Sequence, residues 1–284
     1  MSNIIDGKVV SAAVKDRVAN EVKALGDKGV SVCLAVILVG DDPASKIYVA
    51  NKKKACEQLG IISKEYVLPA NTCQEDLLAL VNQLNNDKTV NGILCQLPLP
   101  KGLDEKAVIA AISADKDVDA FHPVNVGKIM IGDYDFVPCT PAGIMEMLKY
   151  YNIDVNGKEC VVIGRSNIVG KPMGMLLLHK NGTVTIAHSR TKDLKSVTSK
   201  ADILVAAVGK ANFVTADMVK DGAVVIDVGM NRNADGKLCG DVDFAAVEPK
   251  ASYITPVPGG VGPMTIAMLM QNTLTAAKRQ NNLD

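Results

Sequence analysis

The chain has no excess of either charge: 31 basic residues face 31 acidic ones, so no global field draws it to nucleic acid or an anionic membrane. Any anionic ligand must be held locally, and neither nucleic acid nor membrane is expected as a partner. No apolar run approaches the roughly 18 residues of a membrane span. Asp6, Asp16 and Glu21 stand among spaced valines at the start, which fits neither a signal peptide's apolar core nor an acid-poor transit peptide. No CxxC occurs. The seven cysteines are spread so that the closest pair in sequence is seventeen residues apart, and several sit in apolar runs such as Ser31 to Val39. That usage predicts reduced thiols in a cytoplasmic protein rather than a disulfide framework. The three histidines, His122, His179 and His188, have no ligand spacing. Neither a metal site nor a catalytic cysteine is therefore expected.

With 284 residues, 48% hydrophobic and 22% charged, the chain is a globular protein of two domains or one large α/β unit. Val10, Val14, Val18, Val22 and Leu25 recur every three to four residues and give the first helix an apolar stripe. A buried strand over 32–39 follows. Gly40-Asp41-Asp42-Pro43 then supplies a turn, an acidic N-cap and a proline for a helix running to Leu59. Strands at 64–68 and 92–96 alternate with helices at 74–84 and 105–112. Residues 113–140 lose this rhythm and read as loops and short strands, so a domain boundary is placed after them. A helix over 140–151 opens a second series with strands at 159–163, 184–187, 203–207 and 224–228. A last helix, 265–278, follows a Pro/Gly loop and could pack on either domain. The expected fold class is α/β, with two domains of mostly parallel strands.

In the second domain, Val161-Val162-Ile163-Gly164-Arg165-Ser166-Asn167-Ile168-Val169-Gly170-Lys171-Pro172 orders a buried strand, a glycine turn and a proline-started helix as a dinucleotide site requires. Gly164 allows the tight turn, Gly170 the close approach, and the helix start offers free N–H groups to a pyrophosphate. Ser166 stands where the usual second glycine would be, and an ordinary βα turn is the competing reading. About twenty residues on, an acid would bind a free ribose hydroxyl. Here the stretch is His188-Ser189-Arg190-Thr191, with no acid, and Arg165 lies in the turn itself. Those groups fit the 2′-phosphate of NADP, the alternative being solvated surface arginines.

In the first domain, Tyr48, Lys52, Ala55 and Leu59 fall on one helix face. A lysine on an apolar stripe loses hydration and can exchange a proton near neutral pH; snorkelling is the alternative. Tyr48-x-x-x-Lys52 also matches the pair of short-chain dehydrogenases, but there the pair follows the glycine turn within one domain. Here it precedes Gly164 by more than a hundred residues, so a ligand touching both would lie in an interdomain cleft. Gln96 offers a neutral amide at a strand's carboxyl end, followed by Leu97-Pro98-Leu99-Pro100, which could equally be a rigid strand terminator. Lys116-Asp117-Val118-Asp119-Ala120-Phe121 places an acid where it could pair with an amino-pyrimidine edge, or forms a solvated turn. Thr255 to Pro263, with Pro258, Gly259, Gly260 and Val261 at its centre, is stiff and nearly free of side chains. A flat ring could lie against it, or it is an Ω-loop or hinge.

Together with Pro138-Cys139-Thr140-Pro141, these segments resemble the bifunctional methylenetetrahydrofolate dehydrogenase/methenyltetrahydrofolate cyclohydrolases. The matches run in order from about residue 6 to 280, with Ala120 departing from the glycine usual after the second aspartate. The resemblance implies NADP-dependent oxidation of 5,10-methylenetetrahydrofolate and hydrolysis of the methenyl product to 10-formyltetrahydrofolate, in one-carbon metabolism and purine biosynthesis. It implies a cytoplasmic homodimer acting on a folate, with or without a polyglutamate tail. Residues 1–139, rejoined by the helix 265–284, would bind folate, and 140–264 would be a Rossmann-like NADP domain. Lys52 would be the central catalytic group, tuned by Gln96, with Tyr48 stacking on the folate and Asp119 anchoring the pterin. Leu97, Pro98 and Pro258 to Val261 would line the substrate; Gly164, Arg165, Ser166, Gly170, Ser189 and Arg190 would hold the cofactor.

Overall fold

The computed structural model describes residues 3–233 and 235–283. The chain forms two compact units, one made of the residues up to Ala12 with Thr140–Thr265, the other of Ala13–Cys139 with the chain from Ile266 onward. A two-residue strand β1 (Asn3–Ile4) leads into helix α1 (Gly7–Gly26), and the division falls within this helix. The valine stripe of α1 is buried as its spacing predicts.

In the unit of Ala13–Cys139, strands β2 (Cys33–Val39), β3 (Ile62–Leu68) and β4 (Gly92–Cys95) form a parallel sheet ordered β3-β2-β4. All seven residues of β2 are buried, which is why it reads as a continuous apolar run. Helix α2 (Pro43–Leu59) follows its start signals: the Asp42 carboxylate accepts from the Ser45 N–H at 2.7 Å, and left-handed Gly60 ends it. On one face of the sheet, Leu77, Val81 and Leu84 of α3 (Gln74–Asn86) and Val108 of α4 (Glu105–Ala111) pack with Cys33, Ala35, Ile37 and Val39.

The expectation of loops and short strands over 113–140 is corrected by α5 (Pro123–Ile131). His122 Nδ1 accepts from the Val124 N–H at 3.1 Å, Pro123 takes the first turn and Gly132 closes the helix. Only Asn125 and Ile129 are buried on it, so no apolar stripe announced it.

The other unit runs through α6 (Cys139–Tyr150), which starts at the division, then β5 (Glu159–Ile163), α7 (Gly170–His179), β6 (Thr183–Ala187), α8 (Leu194–Thr198), β7 (Ile203–Ala206) and β8 (Val224–Asp227). A short antiparallel pair, β9 (Asn231–Arg232) and β10 (Leu238–Cys239), precedes α9 (Phe244–Val247), β11 (Tyr253–Ile254) and the final α10 (Val261–Gln280). The parallel sheet is ordered β1-β11-β8-β7-β5-β6. Its direction of travel reverses at β5, and the carboxyl ends of β5 and β7 border the crevice where such sheets bind ligands.

Two expectations change here. Residues 1–12 were expected with the first domain, but Asn3 and Ile4 pair with Tyr253 and Ile254 at the edge of this sheet. Two residues are too few to display alternation. The last helix begins at Val261 rather than 265, because Pro263 falls in its first turn, where no N–H is missed.

Candidate active site

In the unit of Ala13–Cys139, the candidate residues gather around α2. The Lys52 Nζ donates to Gln96 Oε1 at 2.7 Å, while Gln96 Nε2 donates to the Leu97 carbonyl at 2.7 Å. The second bond fixes which way the amide faces, so its oxygen is the atom turned to the lysine. Burial lowers the Lys52 pKa, and the negative charge of Asp119 opposes that fall. Lys52 is half-buried and Tyr48, one turn earlier, is 42% exposed. Of this stripe only Ala55 and Leu59 are buried, and Tyr48 remains exposed.

Asp119 is pushed up to about 6 by burial, with Lys52 pulling the other way. The Cys139 thiol donates to Asp119 Oδ1 at 3.9 Å, and burial raises its own pKa well above the ordinary thiol value, so it remains protonated. The segment before Asp119 is not a solvated turn. Lys116, Asp117 and Val118 are buried, and Lys116 Nζ donates to the carbonyls of Leu84 and Asp87 at 3.0 and 2.7 Å. Asp117 accepts from the His122 N–H at 2.8 Å and from Asn125 Nδ2 at 2.9 Å. Asn272 of α10 donates to the Val118 and Val137 carbonyls at 2.8 and 2.9 Å. Asp119 is therefore carried between hydrogen-bonded neighbours, the Val118 carbonyl accepting from Asn272 and the Ala120 N–H donating to the Asp117 carbonyl at 3.1 Å. Ala120 beside it adopts φ 58, the left-handed conformation that glycine takes freely.

In the other unit, a cavity of about 420 Å³ opens at the switch point of the sheet, lined by Gly164, Arg165, His188, Ser189, Thr191 and Lys210 among others. A Cβ on Gly164 would lie 2.3 Å from the Ala207 carbonyl oxygen, and one on Gly170 would lie 2.2 Å from the Gly164 oxygen. Ser166 serves the turn differently from a glycine: its hydroxyl accepts from the N–H groups of Val169 and Gly170 at 3.1 and 3.3 Å. Of the expected cofactor residues, Gly164, Arg165 and Ser189 line the cavity, Ser166 and Gly170 shape the turn behind it, and Arg190 is exposed outside the lining. Thr191, from the stretch read above, also lines the cavity, whereas Lys210 and Phe213 were not anticipated; Lys210 Nζ lies 5.7 Å from the Phe213 ring centre. Lys210 and Phe213 follow β7 in an irregular turn, whose side chains no periodic pattern assigns to a face.

The stiff segment before α10 is held by the Gly260 N–H, which donates to the Pro256 carbonyl at 2.8 Å, and by the Thr255 hydroxyl, which accepts from the N–H of Asp227 in β8 at 2.7 Å. Pro258 and Gly259 precede the helix, and Val261 is its first residue. Among the described residues no cluster of three or more His, Cys, Asp or Glu side chains is placed to hold a metal.

A glycine turn at the switch point of a parallel sheet is suited to a dinucleotide, and a partly dehydrated lysine facing a neutral amide is suited to proton transfer, features of the dinucleotide-dependent enzymes. Residues 5–119 match the family model described as "Tetrahydrofolate dehydrogenase/cyclohydrolase, catalytic domain", and residues 138–281 match "Tetrahydrofolate dehydrogenase/cyclohydrolase, NAD(P)-binding domain". The chain is 61% identical over 279 residues to "Bifunctional protein FolD" of Agathobacter rectalis, covering 98% of this chain and 100% of that protein. The crystal structure of the bifunctional FolD enzyme from Campylobacter jejuni superposes with a TM-score of 0.96 at 52% identity, covering 98% of this chain and 99% of the other. The Trypanosoma brucei FolD enzyme, solved with NADP cofactor and an inhibitor, gives 0.93 at 39% identity and 98% coverage of both chains. The chain belongs to the tetrahydrofolate dehydrogenase/cyclohydrolase family.

Proposed function

We propose the following assignment of this chain's residues to the two reactions of its family. The protein oxidises 5,10-methylenetetrahydrofolate to the methenyl cation with NADP and hydrolyses that cation to 10-formyltetrahydrofolate. NADP, when bound, supplies the hydride acceptor.

The cavity fits that cofactor by its chemistry. Gly164 and Gly170 leave the backbone room that a pyrophosphate needs, while Arg165 and Ser189 supply a cation and a hydroxyl with no acid between them. A ribose 2′-phosphate is favoured there over a bare hydroxyl.

Lys52 is the proton carrier of the hydrolysis. Partial dehydration keeps a share of it uncharged, and Gln96 Oε1 accepts from either charge state without adding charge of its own. Uncharged Lys52 takes a proton from the water as its oxygen bonds to the methenyl carbon. Lys52 then returns that proton to N5 as the carbon–nitrogen bond breaks, and the adduct's hydroxyl proton leaves to solvent as the formyl carbonyl forms. Asp119, ionised above about 6, accepts the paired hydrogen bonds of the amino-pyrimidine edge. Tyr48 offers its ring to the folate, and Leu97, Pro98 and the segment 258–261 supply flat contacts.

The folate-binding residues of this scheme lie in the unit of Ala13–Cys139, except those of 258–261, and the cofactor residues lie in that of Thr140–Thr265. The enzyme acts as a cytoplasmic homodimer, on folate with or without a polyglutamate tail. The observation that carries the assignment is the 2.7 Å contact of a half-buried Lys52 with an amide oxygen of fixed orientation. Its test is one spectrophotometric assay with methylenetetrahydrofolate and NADP, following NADPH and the methenyl product together. NADPH formation with persistent accumulation of the methenyl cation would remove the hydrolase step.

A further inference from the structure

The turn after β7 forms one wall of the dinucleotide cavity through Ala207, Val208 and Lys210. Its three successive N–H groups, on Val208, Gly209 and Lys210, donate to the carboxylate of Asp241 at 2.6, 3.0 and 2.8 Å. A row of consecutive amides is an arrangement that grips anions, phosphate among them. Here the anion is a fully buried side chain of the protein. Asn231 Nδ2 adds a fourth bond to the same carboxylate at 2.9 Å.

Asp241 is itself fastened by a second carboxylate. Its own N–H and that of Val242 donate to Asp227 at 2.9 Å each, and the Gly229 N–H donates to Asp227 at 2.9 Å. The two acids fit only because glycines flank them: a Cβ on Gly240 would stand 1.8 Å from Asp227 Oδ2, and one on Gly229 would stand 2.4 Å from Asp241 Oδ1. The wall of the cavity therefore hangs from one aspartate, which hangs from another at the end of β8.

We propose that Asp241 is a positioning residue for the dinucleotide. It does not line the cavity. It sets the backbone of the turn, and with it the places of Val208 and Lys210, before any cofactor arrives, so cofactor binding need not order that wall. The inference rests on the reading of this cavity as the NADP site.

The two activities supply the test, because hydrolysis of the methenyl cation consumes no dinucleotide. Asp241→Asn keeps the side-chain shape but replaces one acceptor oxygen with an NH₂ group facing amides that need an acceptor. KM and Kd for NADP should rise about tenfold in this variant, the scale of one lost bond to a charged group. The dehydrogenase kcat and the cyclohydrolase rate should stay near wild type. Asn231→Ala leaves the three turn bonds in place and should raise KM for NADP roughly threefold. Normal NADP affinity in folded Asp241→Asn, or equal loss of both activities, would overturn the assignment. If Asp241→Asn does not fold, Asn231→Ala decides, and unchanged NADP affinity there overturns it. Failure of the wild type to bind NADP, or an Arg165→Ala variant that binds it as the wild type does, would overturn the reading of the cavity instead.

Discussion

Lys52 is where the two activities should part. Hydride transfer needs mainly alignment of carbon and ring, whereas hydrolysis needs a group that takes and returns a proton. Lys52→Met should therefore lose cyclohydrolase activity by roughly 10²- to 10⁴-fold and dehydrogenase activity by less, measured separately with circular dichroism confirming the fold. Near-normal hydrolysis would move the proton role elsewhere. Gln96→Lys should also impair hydrolysis, since a second cation beside Lys52 discourages the charged state it must pass through. Asp119 gives the pH signature. It titrates near about 6 because burial disfavours its charge, so it is ionised above that value and protonated below it. Folate affinity should then fall as pH drops through 6, by about tenfold per pH unit once the protonated form dominates. Stability moves the opposite way. The unfolded chain loses this proton near 4 and the native one holds it to about 6, so this group's contribution declines as pH rises between those values and is flat above. Calorimetric folate titration of the wild type and Asp119→Ala checks the assignment, and a pH-independent affinity in the wild type would defeat it.

Among the elements, the turn that carries Asp119 is the most exacting. Ala120 is fully buried in the left-handed region, which costs an L-residue roughly 1 to 2 kcal/mol. Ala120→Gly removes that strain but loses a buried methyl and gains freedom in the unfolded chain, so urea unfolding should change by less than about 1 kcal/mol. Ala120→Val places a β-branched residue where it is rarely found and should cost about 2 to 3 kcal/mol and weaken folate binding. Tolerance of valine would mean that the turn is adaptable. The same contrast explains what could be read before the fold was known. The α2 boundaries, the buried β2 strand and the glycine turn at 164–170 were legible, because each is a local rule written in adjacent residues: Asp42-Pro43, an unbroken apolar run, two glycines with no room for a Cβ. Helix α5 and the pairing of β1 were not, since one buries only two side chains and the other depends on a partner 250 positions away. Lys52 and Gln96 were each suggested by type and place and their pairing by the family resemblance, but its geometry needs the second bond of the amide to Leu97. Asp241 was missed outright, because a carboxylate serving backbone amides has no sequence pattern of its own.

For the molecule as a whole, cofactor preference is the broadest property that follows from local chemistry. Arg165 lines a cavity with no acid at 188–191, so kcat/KM should favour NADP over NAD, and Arg165→Ala should lose about 1.5 to 3 kcal/mol of that preference. Equal use of NAD by the wild type would contradict it. The chain's own path adds a constraint on its synthesis. Asn3 pairs with Tyr253, and Asn272 bonds the carbonyls of Val118 and Val137, so each unit is closed by residues remote in sequence. While the nascent chain lengthens, each unit waits for a late segment: the early strand β1 lacks its β11 partner, and the carbonyls of Val118 and Val137 lack Asn272. Such late closures are where chaperones find their targets. A fragment ending at residue 139 should accordingly stay partly unfolded, and co-expression of a second fragment carrying 140–284 should restore it.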